Sequence, residues 1–108
     1  MNEERILKFI SNFNKDESTV KVFTEGCCYW FAYILDSWCD MNKERPKHRM
    51  MYNQVLGHFS CEIDGQLYDI TGKIEYDNDW VPWIEWFMKE PIYRDVVVRD
   101  CILKCEEN

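Results

Sequence analysis

An α+β fold is predicted by three features of the sequence. A run of apolar and aromatic residues from Cys27 to Leu35 has the length of a buried helix, and residues 58–70 alternate about an Asp64-Gly65 pair. Residues 3–13 and 79–89 carry apolar side chains at helical spacing. The expected architecture is a cysteine-bearing helix packed on a small antiparallel sheet, with the two amphipathic helices covering it. A chain of 108 residues with 46% hydrophobic and 16% aromatic content fits one such core, so a single domain is expected.

The elements follow in order. Ile6, Phe9, Ile10 and Phe13 form one face of a helix whose first turn holds Glu3, Glu4 and Arg5. Asn14-Lys15-Asp16-Glu17-Ser18 reads as a loop. From Gly26 to Cys39, periodicity alone does not separate helix from strand. The length of the run, its continuation through Asp36-Ser37-Trp38-Cys39, and Thr24 as an N-cap favour a helix. Residues 43–47 are polar and broken by Pro46. The Asp64-Gly65 pair predicts a two-residue hairpin, with a third strand near residues 50–55. Asp79 as a cap, Pro82 near a first turn, and Trp83, Trp86 and Phe87 on one face predict a helix over residues 79–89. Residues 93–105 stay open: Val96-Val97-Val98 suits a strand, whereas Cys101, Ile102 and Cys105 suit a helix turn.

Charge narrows the function. Twenty acidic against thirteen basic residues give −7 at neutral pH, which disfavours nucleic acid and anionic lipid as partners. Charges interrupt every apolar run before about 18 residues, so no membrane span is expected. Met-Asn-Glu-Glu-Arg lacks the basic start and apolar middle of a signal peptide. Six cysteines without such a signal read as thiols of a cytoplasmic protein from a bacterium, phage or similar host. There is no Cys-x-x-Cys pair, and three residues separate Cys101 from Cys105, so neither metal nor other cofactor is expected.

Counting across Asp64-Gly65 sets Ile63 opposite Gln66, Cys61 opposite Tyr68, Ser60 opposite Asp69 and His58 opposite Thr71. Phe59, Cys61, Ile63, Tyr68 and Ile70 then share an apolar face, and His58, Ser60, Glu62, Asp69 and Thr71 the other. His58 and Asp69 become diagonal neighbours at about 7–8 Å between backbones. A carboxylate beside an imidazole fixes its tautomer and stabilises its cation. Cys27 and Cys28 fall in the first turn of the buried helix, where the dipole favours a thiolate. The set contains a nucleophile, a base and an orienting acid. It closes only if His58 lies at the sheet end beside the helix start, because the register puts His58 on the face away from the apolar one.

Gly26-Cys27-Cys28-Tyr29-Trp30-Phe31-Ala32, followed by His58-Phe59-Ser60-Cys61-Glu62-Ile63-Asp64-Gly65-Gln66-Leu67-Tyr68-Asp69-Ile70-Thr71-Gly72, resembles the papain-like cysteine hydrolase superfamily, in particular its small phage and bacterial members. The resemblance covers residues 24–72. It implies Cys28 as nucleophile, being the cysteine directly before the aromatic residue, His58 as base and Asp69 as orienting carboxylate, acting on a peptide, amide or thioester. Residues 20–23 hold no Gln, Asn or His to donate to an oxyanion, so a backbone N–H would serve there.

A rival reading comes from charge. Eight acids lie between Glu62 and Glu90, opposed only by Lys73 and Lys89. Glu75, Asp77, Asp79 and Glu85, with Trp80, would then form an interface for a basic host protein that handles nucleic acid, as in small acidic inhibitors of the anti-CRISPR kind.

Overall fold

The Asp64-Gly65 turn fixes the register of the sheet. Asp64 and Gly65 have φ of 50° and 86°, the two positive values of a two-residue hairpin turn whose twist matches its strands. The turn joins β2 (His58–Ile63) to β3 (Gln66–Asp69), pairing Ile63 with Gln66 and Cys61 with Tyr68 as counted from the sequence. Lys47 secures the turn from outside, its N–H donating to Asp64 Oδ1 at 3.1 Å and its carbonyl accepting from Asp64 N–H at 2.8 Å. Gly65 has open space around it, so Gly65→Val adds backbone strain rather than a clash. The variant is expected to lose about 1–2 kcal/mol in urea unfolding with an unchanged m-value.

The computed structural model describes residues 1–24 and 26–89, together with Val96 and Arg99. Among these, four helices accompany an antiparallel sheet of five strands, which makes the fold α+β. The remaining elements are α1 (Glu3–Ser11), α2 (Glu17–Thr24), α3 (Cys28–Asp40), β1 (His48–Asn53), β4 (Gly72–Ile74), β5 (Trp80–Pro82) and α4 (Trp83–Lys89). The strand order is β4-β3-β2-β1-β5. Asn2 caps α1 by accepting from Glu4 N–H at 2.7 Å. No helix among the described residues is long and apolar enough to cross a membrane.

The helices cover one face of the sheet. Ile6 and Ile10 of α1 and Phe31, Leu35 and Cys39 of α3 pack on Cys61, Ile63, Tyr68 and Ile70. Each large apolar side chain buried there contributes about 1.5–3 kcal/mol. Beside this cluster, Cys28 and Ala32 of α3 meet Tyr52, Phe59 and Trp83. The opposite face carries the polar set read from the sequence but is not a solvent face. Met51, Leu67 and Trp80 form a third apolar cluster there, because β1 and β5 extend the sheet and set Met51 opposite Ser60 and Trp80 opposite Asn53.

Two elements depart from the sequence reading. Residues 14–18 do not form a loop throughout, since Glu17 opens α2. Asp16 organises that start, its carboxylate accepting from Ser18 N–H and Oγ at 2.9 and 2.8 Å. Thr24 is the last residue of α2, its hydroxyl donating to Val20 O at 2.6 Å, and the N-cap position of α3 falls to Cys27. The helix expected from Asp79 begins only at Trp83. Trp80–Pro82 instead pair with β1 as an edge strand, where proline's missing N–H costs no ladder bond. The strand-or-helix choice for residues 93–105 lies outside the described residues, of which that stretch holds only Val96 and Arg99.

Candidate functional site

Three separate elements deliver the candidate residues to one place. Cys28 opens α3, where the helix dipole and the first-turn N–H groups favour negative charge. His58 opens β2, and Asp69 closes β3. Three hydrogen bonds hold the turn that launches His58: Asn53 Oδ1 accepts from Val55 and Leu56 N–H at 3.0 and 2.9 Å, and Asn53 O accepts from Gly57 N–H at 2.8 Å. Gly57 sits at φ 64°, a value glycine adopts without strain. This short turn places His58 at the sheet end, so its ring reaches the start of α3 from the far face of the hairpin.

The hydrogen bonds link the set. His58 Nε2 donates to Asp69 Oδ2 at 2.9 Å, and the same ring is hydrogen-bonded to Cys28. Asp69 is held in turn by Thr71, whose N–H donates to Oδ1 at 2.8 Å and whose hydroxyl donates to the same oxygen. The ring of Trp80 meets the imidazole edge to face at 6.0 Å between centroids. Tyr29, Tyr52, Phe59 and Trp83 pack around the helix start. The result is a polar chain inside an aromatic frame, with the His58 and Asp69 side chains 18% and 12% exposed.

The electrostatics favour a charged pair. Burial works against the His58 cation, but the Asp69 hydrogen bond and then the hydrogen bond and negative charge of Cys28 outweigh it, pushing His58 up to about 9. Asp69 moves the other way: burial opposes its ionisation, yet the bonds from His58 and Thr71 hold it below the ordinary carboxylate range. At neutral pH the imidazolium is therefore the favoured form, with the Asp69 carboxylate on one side of the ring and the Cys28 sulfur on the other.

Cys27 corrects the expectation of thiols throughout, because it is disulfide-bonded. Such a bond depends on two α-carbons being brought within about 7 Å by the fold, which sequence spacing does not reveal. Cys28 is a thiol. The acidic set divides as well. Glu75, Asp77, Asp79 and Glu85 are exposed, whereas Trp80 is 7% exposed and faces His58. Its contact with the imidazole escaped the sequence reading because a helix was assigned to it. Trp80, Val81 and Pro82 are all apolar and carry no two-residue alternation, so the sequence holds no periodic signal for this strand.

No curated protein and no solved structure matches this chain. The family model for phage YunG-like proteins matches residues 6–96, which include α1 from Ile6 onward, α2 to α4, all five strands and each of Cys28, His58 and Asp69. This chain therefore belongs to the phage YunG-like protein family.

Proposed function

We propose that this protein is a cysteine hydrolase of papain-like arrangement, cleaving an amide or thioester through Cys28, His58 and Asp69. The observation that carries the reading is His58 bonded to Cys28 on one side and to Asp69 on the other, at the start of the helix that bears the sulfur. With Nε2 engaged by Asp69, Nδ1 is the ring nitrogen left to exchange a proton with the thiol. Thiolate Sγ attacks the acyl carbon, and the His58 cation protonates the departing amine or thiolate. Neutral His58 then takes a proton from water, whose oxygen attacks the acyl-cysteine and releases the acid. Asp69 keeps the ring oriented and offsets its charge in each half of the cycle.

Attack on an activated ester tests this directly. Incubating the protein with p-nitrophenyl acetate is expected to release p-nitrophenol in a burst and to leave an acetyl group on Cys28, found by mass spectrometry. Cys28→Ala should lose both. An unmodified Cys28 after prolonged exposure rejects the hydrolase reading, and the exposed acids Glu75, Asp77 and Asp79 then become the surface to test against a basic protein.

A further inference from the structure

A buried hydroxyl stands beside the candidate site with no role in the resting arrangement. Ser60 of β2 is 0% exposed, and its Oγ has no hydrogen-bond partner among the described residues. Burying a hydroxyl without a partner lowers stability, and alanine in the same place would avoid that loss. A partner gained at another step of a reaction cycle would offset it.

The surroundings of Ser60 leave one acceptor in reach. Alternation along β2 puts Ser60 on the face that carries His58 and Glu62. The register with β1 sets Met51 opposite Ser60 on one side. Carrying the Cys61–Tyr68 register one residue outward sets Asp69 opposite it on the other. Side chains paired in this way have Cβ atoms about 4.5–5.5 Å apart. Met51, Leu67 and Trp80 of the same face form an apolar cluster. Glu62 is engaged by Arg49, whose Nε and Nη2 donate to its two oxygens at 3.0 and 3.3 Å. Asp69 remains. Its Oδ1 accepts twice from Thr71, whereas among the described residues Oδ2 accepts only from His58 and has a second lone pair to offer.

Resting on the hydrolase reading, we propose that Ser60 is a positioning residue acting through Asp69: once Cys28 is acylated, the Ser60 hydroxyl turns to donate to Asp69 Oδ2 and shares that oxygen with His58. In the resting protein the ring stands between Asp69 and the Cys28 sulfur, and both favour its cation, up to about pH 9. That hold suits the proton donor of the first half of the cycle. The second half needs the reverse, a neutral ring that takes a proton from water. Acylation removes the charge of the sulfur, but Asp69 stays in place. A second donor on Oδ2 spreads the carboxylate charge over two bonds and weakens its preference for the cation. Cys28 from α3 and Asp69 from β3 are the titratable groups that meet the ring. The neighbouring strands present the Trp80 indole from β5 and Asn53 from β1, neither of which titrates.

NMR titration of the His58 ring in Cys28→Ser, where an uncharged hydroxyl stands for the acylated sulfur, tests the proposal. His48 is the only other histidine, and His48→Gln assigns its signals. Adding Ser60→Ala is expected to raise the His58 midpoint by about half a unit to one unit, and Ser60→Thr, which keeps the hydroxyl, should restore it. Ser60→Cys fills nearly the same space with a weaker donor and should raise the midpoint by less, which keeps the test decisive if the alanine protein does not fold. With Cys28 in place, hydrolysis of acetyl-Cys28 at pH 7 should slow about three- to tenfold in Ser60→Ala, its profile displaced to higher pH by the same shift. A midpoint that rises in neither the alanine nor the cysteine variant overturns the proposal. The titration needs no turnover, so that result leaves Cys28 as the nucleophile. Absence of acetyl-Cys28 in the unsubstituted protein instead rejects the hydrolase reading, and the part given to Ser60 falls with it.

Discussion

Replacing His58 with alanine is expected to slow alkylation of Cys28 by iodoacetamide at pH 6.5 by about ten- to a hundredfold. The upper figure is set by the thiolate fraction: a cysteine of ordinary pKa near 8.5 is about 1% ionised at that pH. In the proposed ion pair the imidazolium, favoured up to about pH 9, sits against the sulfur and favours its thiolate. The lower figure allows for the weaker nucleophilicity of an acidic thiolate, which recovers part of the difference. The rate should be level from pH 6 to 8 in the unsubstituted protein and rise with pH in His58→Ala, with chymotryptic mapping assigning the label to Cys28. Identical profiles for the two proteins, or labelling only after unfolding, would make Cys28 an ordinary core cysteine in the cluster with Ala32, Tyr52, Phe59 and Trp83.

Part of the candidate site was legible because it depends on local chemistry. Asp64-Gly65 dictates a two-residue turn, the turn dictates the register, and the register puts His58 and Asp69 on one face of the hairpin. The unbroken apolar run likewise put the adjacent cysteines near a helix start, although α3 begins at Cys28 itself. The approach of α3 to His58 was not legible, because it depends on Asn53 and Gly57 closing β1 onto β2 so tightly that His58 lies at the sheet end. The misread of Trp80 has a different origin. Three residues ending in proline resemble a helix start, and only pairing with Tyr52 and Asn53 makes them a strand. That pairing also places a third apolar cluster on the supposed polar face and seats an indole against the imidazole.

Stability against pH counts the protons on the proposed ion pair, and its outcome differs between variants. His58 has its pKa raised from 6.5 to about 9 in the folded protein. Taken alone, it contributes stability that is fully present below pH 6.5 and is lost as pH rises from 6.5 through about 9, on the order of 3 kcal/mol. A Cys28 that is already a thiolate in the folded protein acts in the opposite sense, because it has a proton to lose only when unfolded, below its ordinary pKa near 8.5. Between pH 6.5 and 8.5 the folded protein then holds one proton on His58 and the unfolded chain holds one on Cys28, so the two slopes cancel. Urea unfolding is therefore expected to give level stability across that window. Cys28→Ser keeps the Asp69 bond but removes the compensating thiolate, so it should uncover a fall that starts near pH 6.5 at about 0.7 kcal/mol per pH unit and steepens towards a limit of about 1.4. The fall should end earlier than pH 9, because part of the His58 shift came from Cys28. Asp69 adds an acid limb of its own: its lowered pKa contributes stability present above about pH 4 and lost as pH falls further, a limb that Asp69→Asn should flatten. If the unsubstituted protein falls between pH 6.5 and 8.5 as steeply as Cys28→Ser, the folded sulfur carries its proton and the ion pair is absent. Level stability in one and a slope in the other would place the proton on His58 and the charge on Cys28, the state from which attack on an acyl carbon begins.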